Sequence, residues 1–562
     1  MASTRHDAAE DVKPRVPHEG SRPEIAASHT RPASHPCARA SEPGAKAFEE
    51  DVAAEHVDDG EQMQRQVEMA RVIASLKLTR PEILRTTSAH NVLHRFGFVL
   101  RKGPYSTEYE RSSQSQEIAQ FWSHSWHGPV LAKIMLLYVV CNGFPAAAMG
   151  TISIAVAKTL AWHCVLPCDD RALEATLCLF IGLLVSGLTL AFWRPSRRIF
   201  LDKICINQKD VDLRTEGVLN VGAFLKCSKS MLACWDATYM QRLWCVLEMA
   251  AFLTSHSSSA ELDIKPVHAG PCVIISFACI SVFLMLLNPA LDFMVSWVGS
   301  DVWFYLLNAV TTLPIITVCL SLATAALRMY FRDVEAVREQ LRRFSFQRDP
   351  DCACCALKHV HPSSGRALNC DKETLGQSIR LWFGSVDAFD TFVQQDVLFA
   401  FNKTFASYGL PYSWLAGATV PVVWCGVAYY IPQDDAFSGN LLPEFSTVIW
   451  LLCWWLAYIP IMVLLWMKVV YAFRARRSYQ VSEVLTNVVC AFSLGLLYGA
   501  MNALDGLIYT GLDHLFQRPV RSQGAELVVA TIQLIIVSGF LHCGWGRICL
   551  SLPGVRKAQG SA

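Results

Sequence analysis

The sequence predicts an α-helical polytopic membrane protein with about eight transmembrane helices and a small cytoplasmic α/β domain. Three observations predict it. Of 562 residues, 52% are hydrophobic and only 17% are charged, against about a quarter charged in an average soluble domain. Charge-free apolar windows recur at 134–157, 175–193, 271–291, 302–327, 404–433, 445–467, 484–504 and 527–546. Each is about as long as the roughly 20 residues a helix needs to cross a bilayer. Third, the loop after the second window alternates β-like and helical runs, the order of parallel strands joined by right-handed crossovers.

The same composition excludes other classes. Lys+Arg is 49 and Asp+Glu is 48, for a net charge of +1, so there is no global basic field to bind nucleic acid. The 21 cysteines are too dilute for a secreted disulfide scaffold.

Residues 1–60 hold one aromatic, Phe48. They cannot bury enough apolar area to offset their ordering entropy, so a disordered cytoplasmic tail is expected. No apolar run follows Met1, and no secretory signal peptide is expected. Segment 61–133 is the rest of the N-terminal cytoplasmic part. In it Met63, Val67, Ala70 and Ala74 predict a short amphipathic helix.

The windows pair into four hairpins, 134–193, 271–327, 404–467 and 484–546, with the third hairpin's first span starting near Trp414. Between them lie 194–270, 328–403 and 468–483, and the chain ends in a tail at 547–562. The hairpin tips, 158–174, 292–301, 434–444 and 505–526, hold four of the 49 Lys+Arg residues. The positive-inside rule therefore places both termini and both large loops in the cytoplasm. Cys164 and Cys168 lie on the first tip, where an oxidising side would permit a disulfide. The windows contain no Asp, Glu, Lys or Arg, which argues against an ion-coupled transporter but not against a channel lined by backbone and hydroxyls.

The α/β candidate starts with Ile199 to Ile206, a short β-like run containing Asp202. Val218, Val221, Phe224 and Leu225 then recur at helical spacing. Residues 230–235 form a second buried-strand candidate, ahead of Tyr239, Trp244 and a helix carrying Glu248. At these residues the chain resembles a known family. Phe200-Leu201-Asp202, the block Ser230, Tyr239, Trp244, Cys245 and Glu248, and the Ser-His-Ser-Trp box at 123–126 look like a TIR-type domain. Residues 201–208 also resemble the ID-x-x-CINQ signature of the fungal heterokaryon-incompatibility domain, regarded as a TIR relative.

The resemblance implies a flavodoxin-like fold with strands at 121–125, 198–206 and 230–235. Two membrane spans would stand between the first and second strands, where the family has one loop and one helix. TIR domains are self-associating signalling modules, so further copies of this chain are the expected partners beside the lipid bilayer. Some members cleave NAD, and their catalytic glutamate maps onto Glu248. A carboxylate there would stabilise the oxocarbenium-like ribose left when nicotinamide departs. Trp244 or Trp235 would stack on a ring, and Ser123 and Asp202 would sit near C-terminal strand ends, where open α/β sheets bind ligands. The plainer reading of Glu248 is a helix carboxylate that is solvated or paired with Arg242 or Lys229. A non-catalytic interaction module on a membrane anchor and a transporter or channel with a regulatory domain are the competing functions.

The second large loop carries two further features. Phe331, Val334, Val337, Leu341 and Phe344 form one apolar stripe beside arginines. This is either a helix lying on the membrane surface or an extension of the fourth span. Cys352, Cys354, Cys355, His359, His361 and Cys370 follow. Zinc takes four such ligands tetrahedrally, so Cys352, Cys354, Cys355, His359 and Cys370 are candidates for zinc. Reduced thiols in a loop are the alternative.

Overall fold

The computed structural model describes residues 59–101, 108–162, 171–256, 262–298, 302–360, 370–404, 410–430 and 442–516, with Thr531 and Ile535. Residues 1–58 of the tail expected to be disordered, residues 163–170 of the first hairpin tip with Cys164 and Cys168, His361 and nearly all of window 527–546 lie outside the described residues.

In chain order the main elements begin with α1 (Asp59–Ser75), β1 (Arg85–Ser88), β2 (Ser113–Gln114) and β3 (Gln120–His124). Two long helices follow, α2 (Val130–Trp162) and α3 (Arg171–Phe192). Then come β4 (Arg198–Phe200), α4 (Val211–Leu219), α5 (Val221–Lys226), β5 (Met231–Trp235), α6 (Leu243–Ser255) and β6 (Leu262–Pro266). The rest is helical: α7 (Ala269–Val298), α8 (Val302–Arg342), α9 (Asp371–Phe383), α10 (Tyr412–Thr419), α11 (Pro421–Tyr430), α12 (Thr447–Ala472) and α13 (Gln480–Phe516).

Six helices among the described residues, α2, α3, α7, α8, α12 and α13, are long and apolar enough to cross a bilayer. That is the pattern of a multi-pass helical membrane protein. The expectation of eight meets a break at window 404–433, which divides into α10 and α11 at Pro421. Proline has no N–H to give the preceding turn, and neither piece alone has the length of a span. Helix α8 runs 41 residues without interruption. At about 1.5 Å per residue it is twice as long as the hydrocarbon core is thick, so the amphipathic stripe extends the fourth span.

The sheet has six strands in the order β2-β1-β4-β3-β5-β6. β3, β4, β5 and β6 are parallel, and β1 lies antiparallel to β2 and β4. Counted along the chain, the parallel strands stand in the spatial order 2-1-3-4. The order reverses between β3 and β5, where Ser123 is in register with Ala233. β3 and β5 are buried at every residue, as central parallel strands covered on both faces must be. Phe121, Phe200 and Phe224 stack in sequence at 4.9 Å between centroids. The expected second strand, 198–206, is shorter than predicted. It ends at Phe200, and Asp202–Cys205 is a helical turn.

The crossover between β3 and β4 consists of α2 and α3. β6 feeds α7, whose Gly270 lies so close to α2 that a Cβ there would stand 2.3 Å from the backbone nitrogen of Leu136. Small residues permit such backbone approach between membrane helices. Helix α1 packs on α9, where Ser378 and the Trp382 indole donate to the Ala70 and Ala74 carbonyls at 3.1 and 3.0 Å.

Candidate functional site

The C-terminal edge of the parallel sheet gathers side chains that follow three of its strands, β3, β4 and β5. Ser123 at the end of β3 donates to Oε2 of Glu248 at 2.5 Å and shares a 2.7 Å hydrogen bond with the Tyr239 hydroxyl. Glu248 is on α6, and Tyr239 is on the turn that leads into it. Asp202 opens the helical turn after β4, and its charge acts on Glu248. The sequence folds this way locally because Asp202 accepts the Lys203 N–H at 2.7 Å, and the Cys205 N–H reaches the Leu201 carbonyl at 2.8 Å. This local side-chain to backbone bond favours a turn where the strand would otherwise continue.

Electrostatics distinguish this cluster. Burial pushes the Glu248 carboxyl up to about 8, against the stabilising hydrogen bond from Ser123, with Asp202 adding to the rise. Burial also raises Asp202 to about 6, opposed by the Lys203 N–H, the Lys203 charge and a hydrogen bond from Trp126. Lys203 falls to about 8, again through burial, and its ammonium sits 3.6 Å over the Trp126 ring. Glu248, Asp202 and Trp126 all keep some solvent exposure. Three groups shifted toward neutrality at one sheet edge mark a candidate site. Two carboxyls of different strength divide acid and base roles between them.

Glu248 thus faces Ser123 and Asp202. Of the pairings considered for it, Lys229 instead meets Glu117 at 2.8 Å. Ser123 and Glu248 are brought into hydrogen-bond contact, and the Asp202 charge acts on Glu248 from the next strand end. Trp235 is not beside them: it is fully buried, stacks on Tyr239 at 4.4 Å, and donates its indole N–H to Gln340 at 3.1 Å. Trp235 backs Tyr239 and offers no open face to a ligand. Trp244 is half-buried against the core. Tyr239, Trp126 and Lys203 join the site unforeseen. Tyr239 and Lys203 sit inside the very motifs that carry the TIR resemblance, and Trp126 closes the Ser-His-Ser-Trp box; that position was the only signal available.

Behind the site, Lys133 and Asp236 form a buried pair at 3.4 Å. Gly128 leaves the room, since a Cβ there would fall 1.8 Å from Asp236 Oδ2. His124 faces the other side of β3 and lines a water-sized cavity with Trp122, Lys133 and Cys234. Burial, then Lys133 and Lys203, hold it neutral.

The cysteine cluster is a separate place. The sulfurs of Cys352, Cys354, Cys355 and Cys370 all lie within 4.8 Å of one another. His359, expected among the ligands, is exposed and outside this group; its backbone N–H instead bonds the Cys354 carbonyl at 2.8 Å.

The membrane helices also hold charges that the apolar windows miss. Helices α2 and α3 run past their windows and bring Lys158 and Glu174 together at 2.7 Å, both buried.

Compared with protein-family models, curated proteins and solved structures, the chain matches none.

Proposed function

We propose that the chain is a membrane-anchored signalling protein whose α/β layer is TIR-like and flavodoxin-like, acts by self-association, and cleaves NAD at the nicotinamide–ribose bond. In this reading the windows at 404–433 and 527–546 complete eight spans, and both termini are cytoplasmic. The parallel strand order 2-1-3-4 is the one flavodoxin-like sheets use, with the ligand at the switch point. The observation that carries the reading is Glu248 hydrogen-bonded to Ser123 at that edge, with the Asp202 charge acting on it. A carboxyl raised to about 8 by burial is poorly compensated for charge. It gains most from an arriving cation, and NAD presents a pyridinium.

When the C–N bond breaks, its electron pair leaves with the nicotinamide nitrogen and the ribose carries the positive charge. An ionised Glu248 beside that ribose, positioned by the Ser123 hydroxyl, stabilises it more than it stabilises the ground state. Water then adds to the ribose carbon and gives up a proton, for which Asp202 is the stronger acid of the pair and ionised at neutral pH.

The test is nicotinamide release by the full-length protein in nanodiscs at high surface density. Wild type is expected to turn over NAD, Glu248→Gln to lose about 100-fold or more, and Ser123→Ala to fall in between. Wild type without activity would leave a non-catalytic interaction module. The Lys158–Glu174 pair favours the transporter reading to a degree, because ionisable residues in spans mark pathways. Its place near the ends of both helices makes it a hairpin clamp in the reading adopted here.

A further inference from the structure

We infer that Cys352, Cys354, Cys355 and Cys370 form a tetrathiolate site for one zinc-class divalent cation, which fastens the loop after α8 to the start of α9. Four gathered sulfurs are the donor set of a closed structural site. A tetrahedral ion with sulfurs at about 2.3 Å spaces those sulfurs roughly 3.8 Å apart. Here Cys352 and Cys354 are 2.9 Å apart, Cys355 and Cys370 are 3.6 Å apart, and no pair in the set exceeds 4.8 Å. All four are free thiols; a disulfide needs about 2.05 Å.

Three ligands come from one short stretch, C-x-C-C, and the fourth arrives 15 positions later at the N-cap of α9. Lys358 and His359 adopt left-handed φ values of 53° and 57°. They bend the chain so that the His359 N–H closes on the Cys354 carbonyl. Around the sulfurs stand main-chain donors. The N–H groups of Cys355 and Lys372 point at the Cys352 sulfur, and that of Asp371 points at Cys354. Such outer donors orient metal ligands, and Cys370 stands at the N-cap of a 13-residue helix. Lys372 adds a brace by donating to the Gln347 and Pro350 carbonyls at 2.8 and 3.0 Å. Cys352 and Cys354 are buried while Cys355 is exposed, which leaves a path for the ion to enter.

The consequence is mechanical. Asp351, next to the first ligand, pairs with Arg242 as a parallel bridge and donates its N–H to the Gln241 carbonyl at 2.8 Å. The Tyr239–Gln241 turn is the one that carries Tyr239 to Ser123. The ion therefore ties α9, and α1 packed on it, to the wall of the candidate site.

The test measures metal in the full-length protein, purified in nanodiscs without chelator. About one zinc per chain is expected. Cys352→Ser/Cys355→Ser should lose it, and Cys227→Ser, outside the cluster, should keep it. Because the double variant can fail to fold, wild type is also exchanged with Co(II). Thiolate-to-cobalt charge-transfer bands are expected, and the four cysteines should resist alkylation until a chelator is added. Metal-free protein, metal retained by the double variant, cobalt without thiolate bands, or a disulfide among the four each overturns the site. None of these readouts uses NAD, so failure here leaves the Glu248 reading untouched, and the converse holds.

Discussion

At the scale of single residues, the decisive fact is a carboxyl held protonated. Glu248 sits near 8 in the folded chain, well above the ordinary glutamate value of about 4.3. The folded state therefore binds the proton more tightly than the unfolded chain. Stability contributed by the protonated form is full below about pH 4 and is lost as pH rises toward 8. Glu248→Gln removes that liability. It should melt higher than wild type at pH 8–9, by an amount on the order of 1–3 kcal/mol, and the gap should close near pH 4. Thermal melts of both proteins across that range check it, and a constant gap would refute the raised carboxyl. If the ionised form is the catalytic one, kcat/KM for NAD should climb with pH up to about 8 and then level off. Glu248, Ser123 and Asp202 were legible because they sit in short motifs. Trp235 was misjudged because β5 is buried on both faces, so alternation along the strand could not say which side its ring takes.

At the scale of elements, short apolar runs misled most. The run from Ile199 to Ile206 reads equally as buried strand or buried helix, and a helical turn from Asp202 replaces it after three strand residues. β1 and β2 escaped notice because RTTS and SQ are short, polar edge segments with no apolar period. Charges at span ends read only as topology signals, yet Arg328 does more. Fully buried on α8, it donates to the Phe473 and Ala475 carbonyls at 2.8 Å each, to Asn487 at 2.6 Å and to Glu483 at 3.0 Å. One guanidinium thus pins the turn between α12 and α13 to α8. Removing one partner of a buried pair strands the others, at about 3–5 kcal/mol. Arg328→Met should cost that much in reversible unfolding. Arg328→Lys should recover only part, since a lysine lacks the planar fork. Adding Glu483→Gln to Arg328→Met should give back some of the loss, and strict additivity would show that the two residues are not coupled.

At the scale of the whole molecule, contacts between distant segments fix which helix ends share a side. β3 precedes α2 and β4 follows α3, yet Phe121 pairs with Phe200 in register. The two helices must therefore return the chain to where it started. β6 precedes α7, and in the last turn of α8 Gln340 donates to the Ala237 carbonyl, so that pair returns as well. Arg328 gathers residues 473–487 to the same level. An open, twisted sheet thus takes a membrane hairpin as a crossover, an arrangement that the right-handed connection rule allows and that local sequence patterns do not announce. The apolar windows made the long membrane-type helices legible; the register between β3 and β4 was not, because it joins residues about 80 positions apart with no local signal. The prediction at this scale concerns sidedness. A protease-cleavable tag placed between Trp162 and Arg171 should lie across the bilayer from one placed between Arg477 and Tyr479. In sealed vesicles of known orientation, protease on the cytoplasmic side should cut the second and spare the first. Cleavage of both would mean that α2 and α3 do not cross, and the sheet would then lose its reason for being split. Cleavage of the first alone would keep the hairpin and invert the chain, moving Glu248 and the cysteine cluster away from cytoplasmic NAD and from reduced thiols.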